Sequence, residues 1–201
     1  MADTEITPQM VRDLRERTGA GIMDCKRALQ ETGGDSENAL ALLRARGEAT
    51  AAKKAAREAR DGVVASYIHT GGRIGALVEI NCETDFVART DDFQKLVREI
   101  AMQIAGLDPL YVTKESIPAD VLEAKRAELL AEDDVQKKPE HIRGQIVDGK
   151  VRKWYEQVVL YEQPFRDTDQ TVGQLITAAI SRLGENIRVR RFTRYALGEE
   201  L

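Results

Sequence analysis

Two short runs of alternating residues flank a double glycine near residue 70, and they limit the fold more than any other feature of the chain. Val63, Ala65 and Tyr67 alternate, Thr70-Gly71-Gly72-Arg73 has the chemistry of a turn, and Ile74, Ala76, Val78 and Ile80 alternate again. A period of two puts successive apolar side chains on one face of a strand, and a glycine pair supplies the backbone freedom of a tight turn. An antiparallel hairpin with one apolar face is expected, and that face needs an amphipathic cover. Phe93, Leu96, Val97, Ile100 and Ile104 follow as the apolar stripe of a helix, which Asp91 and Gln94 would open as a capping box.

The rest of the chain supplies more cover and one more strand. Thr171-Val172-Gly173-Gln174 reads as a second capping box, opening a helix whose face is Val172, Leu175, Ile176, Ala179, Ile180 and Leu183, with Gly184 ending it. Asn186 to Leu197 reads as a closing strand. Its Arg188, Arg190, Arg191 and Arg194 alternate with Ile187, Val189 and Tyr195 and are read as a solvated sheet face. Between these elements, a helix beginning at Pro118 (Val121, Leu122, Leu129) turns around Asp133-Asp134 and Lys137-Lys138-Pro139. A partner helix returns through Ile142, Ile146, Val147, Val151 and Trp154. Both are heavily charged with few apolar residues, which describes a helical hairpin that projects into solvent. The class is α+β, with an antiparallel sheet of at least three strands packed with helices.

Ahead of the hairpin the periodicity is helical. Thr7-Pro8 has the form of an N-cap followed by proline at the first helical position. Ile6, Met10 and Leu14, with Val11 and Thr18 beside them, give that helix one apolar face. Gly19-Ala20-Gly21 breaks it. A second short helix runs through Met23, Cys25, Lys26 and Leu29 until Gly33-Gly34, and Asp35 can cap a third that carries Leu40, Leu42 and Leu43. Three short helices make a thin core, more suited to docking than to enclosing an active site. Residues 49–60 are rich in alanine and basic side chains and read as a solvated helical linker.

Composition narrows the function. Lys plus Arg number 30 against 34 Asp plus Glu, a net charge of −4, which argues against a protein dominated by phosphate-backbone contacts. Two isolated cysteines give neither a disulfide framework nor a zinc signature. Neither His69 nor His141 has a nucleophile in its local sequence, and Gly19-Ala20-Gly21 with Lys26 lacks the spacing of a phosphate loop. No enzyme chemistry and no cofactor or metal are expected. The opening Met-Ala-Asp-Thr-Glu-Ile has no basic stretch followed by an apolar run, and no apolar run reaches the roughly 20 residues of a membrane span. A cytoplasmic protein without membrane contact is the expectation.

One connection stands out. Asn81-Cys82-Glu83-Thr84-Asp85-Phe86-Val87-Ala88-Arg89 joins the hairpin to the amphipathic helix and places an aromatic in a short link without periodicity to bury it. Phe86 either caps the local core or stands out as an apolar wedge beside the Asp85 carboxylate, shaped for a partner's pocket. The residues alone leave both readings open.

The same segment carries a resemblance. Leu14-Arg15-Glu16-Arg17-Thr18-Gly19-Ala20-Gly21-Ile22-Met23-Asp24-Cys25-Lys26 closely resembles the N-terminal signature of bacterial translation elongation factor Ts, and Asn81 to Ala88 resembles its second signature. Gly144 to Phe165, ending Glu162-Gln163-Pro164-Phe165, and Thr171-Val172-Gly173-Gln174-Leu175 are similar to later segments. The resemblance implies a guanine-nucleotide exchange factor that binds elongation factor Tu with GDP, disturbs its magnesium and phosphate site, and lets GTP rebind. It implies a ubiquitin-associated-like three-helix domain at residues 1–48, a basic helical linker at 49–61, and a core dimerisation domain at 62–201. The helical hairpin at about 116–155 would be an antiparallel coiled coil.

By the same resemblance, Thr84, Asp85, Phe86 and Val87 form the segment that enters the GTPase, with Phe86 wedging near the magnesium site. Arg12, Arg15, Ile22 and Met23 would dock the N-terminal domain on the same partner. The family often has Met-Met where this chain has Ile22-Met23. Longer members carry two related core subdomains, whereas this chain has room for one, which implies a homodimer and a two-to-two assembly; the sequence leaves the pairing face open, with the first core strand one candidate. Two other classes compete. A ubiquitin-associated-like adaptor without exchange activity would use residues 7–47 and leave the Thr84-Asp85-Phe86 segment idle. An RNA-binding module would use Lys53, Lys54, Arg57 and Arg60.

Overall fold

A computed structural model describes residues 5–166 and 168–199. Met1 to Thr4, part of the opening stretch in which no basic run precedes an apolar one, lie outside the described residues, as do Asp167, Glu200 and Leu201 of the core segment.

The N-terminal helices form where their caps dictate. α1 (Pro8–Thr18) begins at Thr7, whose hydroxyl accepts the N–H of Met10 at 3.2 Å, and ends at Gly19, left-handed with φ 66°. α2 (Ile22–Glu31) stops before Gly33 and Gly34, both at positive φ. Asp35 then caps α3 (Ser36–Lys54), its carboxylate accepting the N–H groups of Glu37 and Asn38 at 3.0 Å. Val11, Leu14, Cys25, Ala28, Leu29, Ala39, Leu40 and Leu43 make a small core among the three. α3 does not stop there: it runs on to Lys54, and Ala51 packs against the second core.

That second core is built on the sheet. β1 (Asp61–Ile68), β2 (Ile74–Cys82) and β3 (Arg188–Ala196) pair antiparallel in the order β1-β2-β3, as the alternation predicts. Val63 faces Ile80, Ala65 faces Val78 and Tyr67 faces Ala76 across the hairpin, so the three apolar pairs share one face. After a one-turn helix, α4 (Asp85–Ala88), the long α5 (Asp91–Leu107) lays its stripe on that face, burying Phe93, Leu96, Val97, Ile100 and Ile104. α9 (Val172–Leu183) adds Val172, Ile176, Ala179 and Ile180. The predicted capping box of α9 is present, with Thr171 and Gln174 exchanging bonds of 3.2 and 3.0 Å.

Between α5 and α9 the chain forms a separate arm. α6 (Ala119–Ala131) and α8 (Glu140–Val158) pack on each other and on a short α7 (Asp133–Gln136), enclosing Leu129, Val135, Val147 and Val151. The arm returns to the core at Gln163, which is almost wholly buried. Its amide donates to the carbonyls of Leu107 and Gln157, and its oxygen accepts from Gln103 of α5 at 3.2 Å. A buried amide must satisfy its polar atoms, and this one locks the entry to the Pro164-Phe165 segment.

Three local readings need correction. The α5 cap is Thr90, not Asp91: the Thr90 hydroxyl accepts from Phe93 N–H at 3.3 Å, and Gln94 instead donates to the Ala88 carbonyl at 2.7 Å. The extended backbone of Thr90 suits it to the cap, one residue ahead of the expected start. The link around Asp133 is not a plain turn but holds α7, with Val135 fully buried. The arginines of β3 do not share a solvated face. A register shift beside Glu79 and Ile80 breaks their alternation, Arg190 and Arg191 both pair with Glu79, and Arg194 turns under the end of α5 to donate to the Ala105 carbonyl at 3.1 Å. A cation there complements the helix C-terminus.

The architecture is α+β, with nine α-helices and one three-stranded antiparallel sheet among the described residues. Phe93, at the start of α5, is the largest fully buried side chain among the described residues. Phe93→Ala is expected to cost about 3–5 kcal/mol, measured as a lower urea midpoint at unchanged slope.

Candidate functional site

The connection between β2 and α5 is folded tightly for so short a segment. Thr84, extended at φ −133°, caps α4 by accepting the Val87 N–H at 3.4 Å. One helical turn then divides its residues by side: Ala88 is buried and Val87 packs against the main core, while Thr84, Asp85 and Phe86 face solvent. Arg89 reaches back to Asp85 at 2.7 Å, one turn earlier. Thr90 closes the far end, donating its N–H and its hydroxyl to the Val87 carbonyl at 3.0 and 2.8 Å while it caps α5.

On this anchored turn Phe86 is 83% exposed. The reading that it caps the local core is therefore wrong: Val87 and Ala88 take the inward positions. Exposing a phenylalanine forgoes about 1.5–3 kcal/mol of burial, so the ring is an unspent apolar surface on a stiff mount. Asp85 stands beside it, more than half exposed even with its Arg89 partner.

A second exposed patch lies on the N-terminal helices. Arg12 and Arg15 project from α1 one turn apart, and Ile22 and Met23 occupy the first turn of α2 with more than half of each side chain exposed. Arg12, Arg15 and Ile22 line one shallow groove with Ile6, Pro8 and Val11; Met23 is not among its lining residues. Arg12 and Arg15 also border a cleft toward α5 and α9, lined by Asp92, Lys95 and Arg182. Arg182 spans it, meeting Asp92 of α5 at 3.1 Å and donating to the Gly19 carbonyl at 3.1 Å. This one guanidinium ties the end of α1 to the helix that follows α4. Sequence reasoning misses it, because an arginine in the last turn of a helix carries no pattern of its own.

The chemistry of the thiols is quiet. Burial, with Glu185 and Asp61 adding negative charge, pushes the Cys82 thiol up to about 11, and its Sγ donates to the Thr84 carbonyl at 3.1 Å. Burial likewise raises Cys25, which packs inside the N-terminal core. The thiolate is the reactive form, so both should resist a disulfide reagent at pH 8 in the folded protein and react only after unfolding in guanidinium; rapid labelling of the native chain would contradict this. Among the described residues, no group of three or more His, Cys, Asp or Glu side chains could hold a metal ion, and no helix is long and apolar enough to cross a membrane.

The surroundings of these patches match known proteins along nearly the whole chain. The family model described as Elongation factor TS matches residues 20–199. Elongation factor Ts of Carboxydothermus hydrogenoformans is 55% identical over 197 residues, covering 98% of this chain and 91% of that one. Elongation factor Ts of Desulforamulus reducens is 54% identical over 198 residues, covering 98% and 91%. That of Thermotoga petrophila is 51% identical over 196 residues, covering 97% and 98%. With the second signature present as an exposed aromatic on an anchored turn, and with relatives this similar end to end, the chain belongs to the elongation factor Ts family.

Proposed function

We propose that this chain acts as the guanine-nucleotide exchange factor of elongation factor Tu in translation elongation, and that Phe86 is its working element. The observation that carries the reading is Phe86 itself, 83% exposed on a one-turn helix held at both ends. GDP in a GTPase is gripped by backbone N–H groups around its phosphates and by magnesium, which tolerates little departure from octahedral geometry. A ring driven between the supporting side chains shifts those loops and loosens both. Linkage makes the effect reciprocal: a factor that weakens GDP is itself weakened by GDP in the same ratio. It therefore favours the nucleotide-free partner and leaves when GTP binds. No covalent bond changes and no cofactor takes part.

Thr84, Asp85 and Val87 support the ring. Arg12, Arg15, Ile22 and Met23 dock the N-terminal helices, which we read as a ubiquitin-associated-like domain over residues 1–48, on the same partner. The segment 49–61 links it to the core at 62–201, and α6 with α8 forms the antiparallel coiled coil. The protein works in the cytoplasm, without nucleic-acid or membrane contact. An adaptor without exchange activity would leave Phe86 with nothing to do. Phe86→Ala is expected to slow release of fluorescent GDP from elongation factor Tu by about 30-fold, the equivalent of a 2 kcal/mol interface anchor; release at the wild-type rate would move the work elsewhere and favour the adaptor.

We also read the chain as a homodimer that forms a two-to-two assembly. Among the described residues nothing covers the sheet face away from α5: Val64 and Ile68 of β1, Leu77 of β2 and Tyr195 of β3 are 47–70% exposed on it. An apolar sheet face is an unusual thing for a monomer to leave wet, and two such faces pack at about 10 Å as a sandwich. Glu79, the charge among them, is held at a pKa of about 2 by Arg190 and Arg191, so it stays ionised and paired across the neutral range. Sedimentation at micromolar concentration should give twice the chain mass, and Leu77→Lys should halve it. A wild-type monomer would refute the pairing.

A further inference from the structure

The turn between α9 and β3 holds a carboxylate with three donors converging on it. Gly184 ends α9 in the left-handed region at φ 78°, and Glu185 follows. Its Oε2 accepts the N–H groups of Glu83 and Thr84, each at 3.0 Å, and its Oε1 accepts the Thr84 hydroxyl at 2.6 Å. The contact is returned: Asn186 N–H donates to Glu83 Oε1 at 2.6 Å. The Asn186 amide in turn donates to the Arg57 carbonyl at 2.8 Å, on the chain leading out of α3. All of this lies beyond the ladder, since β2 ends at Cys82 and β3 begins at Arg188.

We propose that Glu185 is a positioning residue for exchange, fixing the direction in which α4 leaves the sheet and hence where the Phe86 ring stands before the partner arrives. The inference rests on the wedge reading of Phe86. A single helical turn cannot hold itself, because nucleation costs more than one turn of hydrogen bonds returns. The cap of α4 is long, at 3.4 Å, and depends on a hydroxyl that could rotate away. By donating its proton to Glu185, that hydroxyl is left with its lone pairs toward Val87 N–H. An acceptor-only carboxylate suits three converging donors, and charge strengthens each bond. A wedge fixed in advance loses less freedom on meeting its pocket, the general advantage of preorganisation.

The test is GDP release from elongation factor Tu over a range of factor concentrations, for wild type, Glu185→Ala, Glu185→Gln, Phe86→Ala and the Phe86→Ala/Glu185→Ala double variant, with a circular-dichroism melt of each. Glu185→Ala should lower the saturating rate about tenfold and leave the half-saturating concentration within twofold, because the N-terminal patch is untouched. Glu185→Gln should recover only part of the rate, since its oxygen can accept the two N–H groups but its amide cannot accept the Thr84 hydroxyl proton. On the Phe86→Ala background, Glu185→Ala should cost nothing more. A full rate for Glu185→Ala beside a slow Phe86→Ala would overturn this inference and leave the wedge standing, as would effects that multiply in the double variant. A full rate for Phe86→Ala would remove the wedge reading and this inference with it. Should Glu185→Ala fail to fold, Thr84→Val takes its place: a fall in saturating rate supports the clamp, and an unchanged rate refutes it.

Discussion

The burial of the α5 stripe against the covered face of the sheet is the contact on which the other arrangements depend. Phe93, Ile100 and Ile104 are fully inaccessible there, and α5 touches all three strands and α9. Burying side chains of this size stabilises by about 1.5–3 kcal/mol each, far more than any exposed ion pair of the chain can. Its consequence for function is geometric. Once α5 is seated, Thr90 has one place to stand, and Thr90 both caps α5 and closes α4. The Phe86 turn is therefore indexed to the deepest packing of the molecule, although the ring itself packs against none of it.

Much of this was legible residue by residue, for identifiable reasons. Thr7-Pro8, Gly19, Asp35 and the Thr171–Gln174 pair are local devices, in which cause and effect lie within four residues, so their caps can be read without a structure. The hairpin and the α5 stripe are legible because periods of two and 3.6 differ. Phe86 is the middle case: a one-turn helix has no periodicity, and only the inward places taken by Val87 and Ala88 decide that the ring faces out. Glu185, Arg182 and the buried Gln163 could not be found this way. Their partners lie dozens to more than a hundred residues away, and nothing local distinguishes a carboxylate that will receive three donors from one that will meet water. The cap of α5 misled for a related reason, because Thr90 and Asp91 are both good cap residues and tertiary packing chose between them.

The two exposed patches share a logic. Phe86 with Asp85, and Ile22 and Met23 with Arg12 and Arg15, each set an apolar contact beside a charge. Such a pair gives a partner both area and orientation. Phe86 and the Ile22-Met23 pair each sit in the first turn of a helix entered through extended backbone, at Thr84 in one case and Gly21 in the other. Arg182 joins their supports, so that the patches are carried by one connected framework.

The described residues form three hydrophobic cores with no buried residue in common: one among α1–α3, one between the sheet and α5 with α9, and one within α6–α8. The last has only four buried residues, with Lys150 bridging Glu132 and Asp134 at its side. Regions that share no core open as separate cooperative units, each with its own free energy. The arm can thus fray and reclose many times while α5 stays seated, and amide exchange would be fast along α6 and slow along β2. The longest excursion of the chain thus has a core of its own, and the buried Gln163 junction is where it meets the helix that indexes the Phe86 turn.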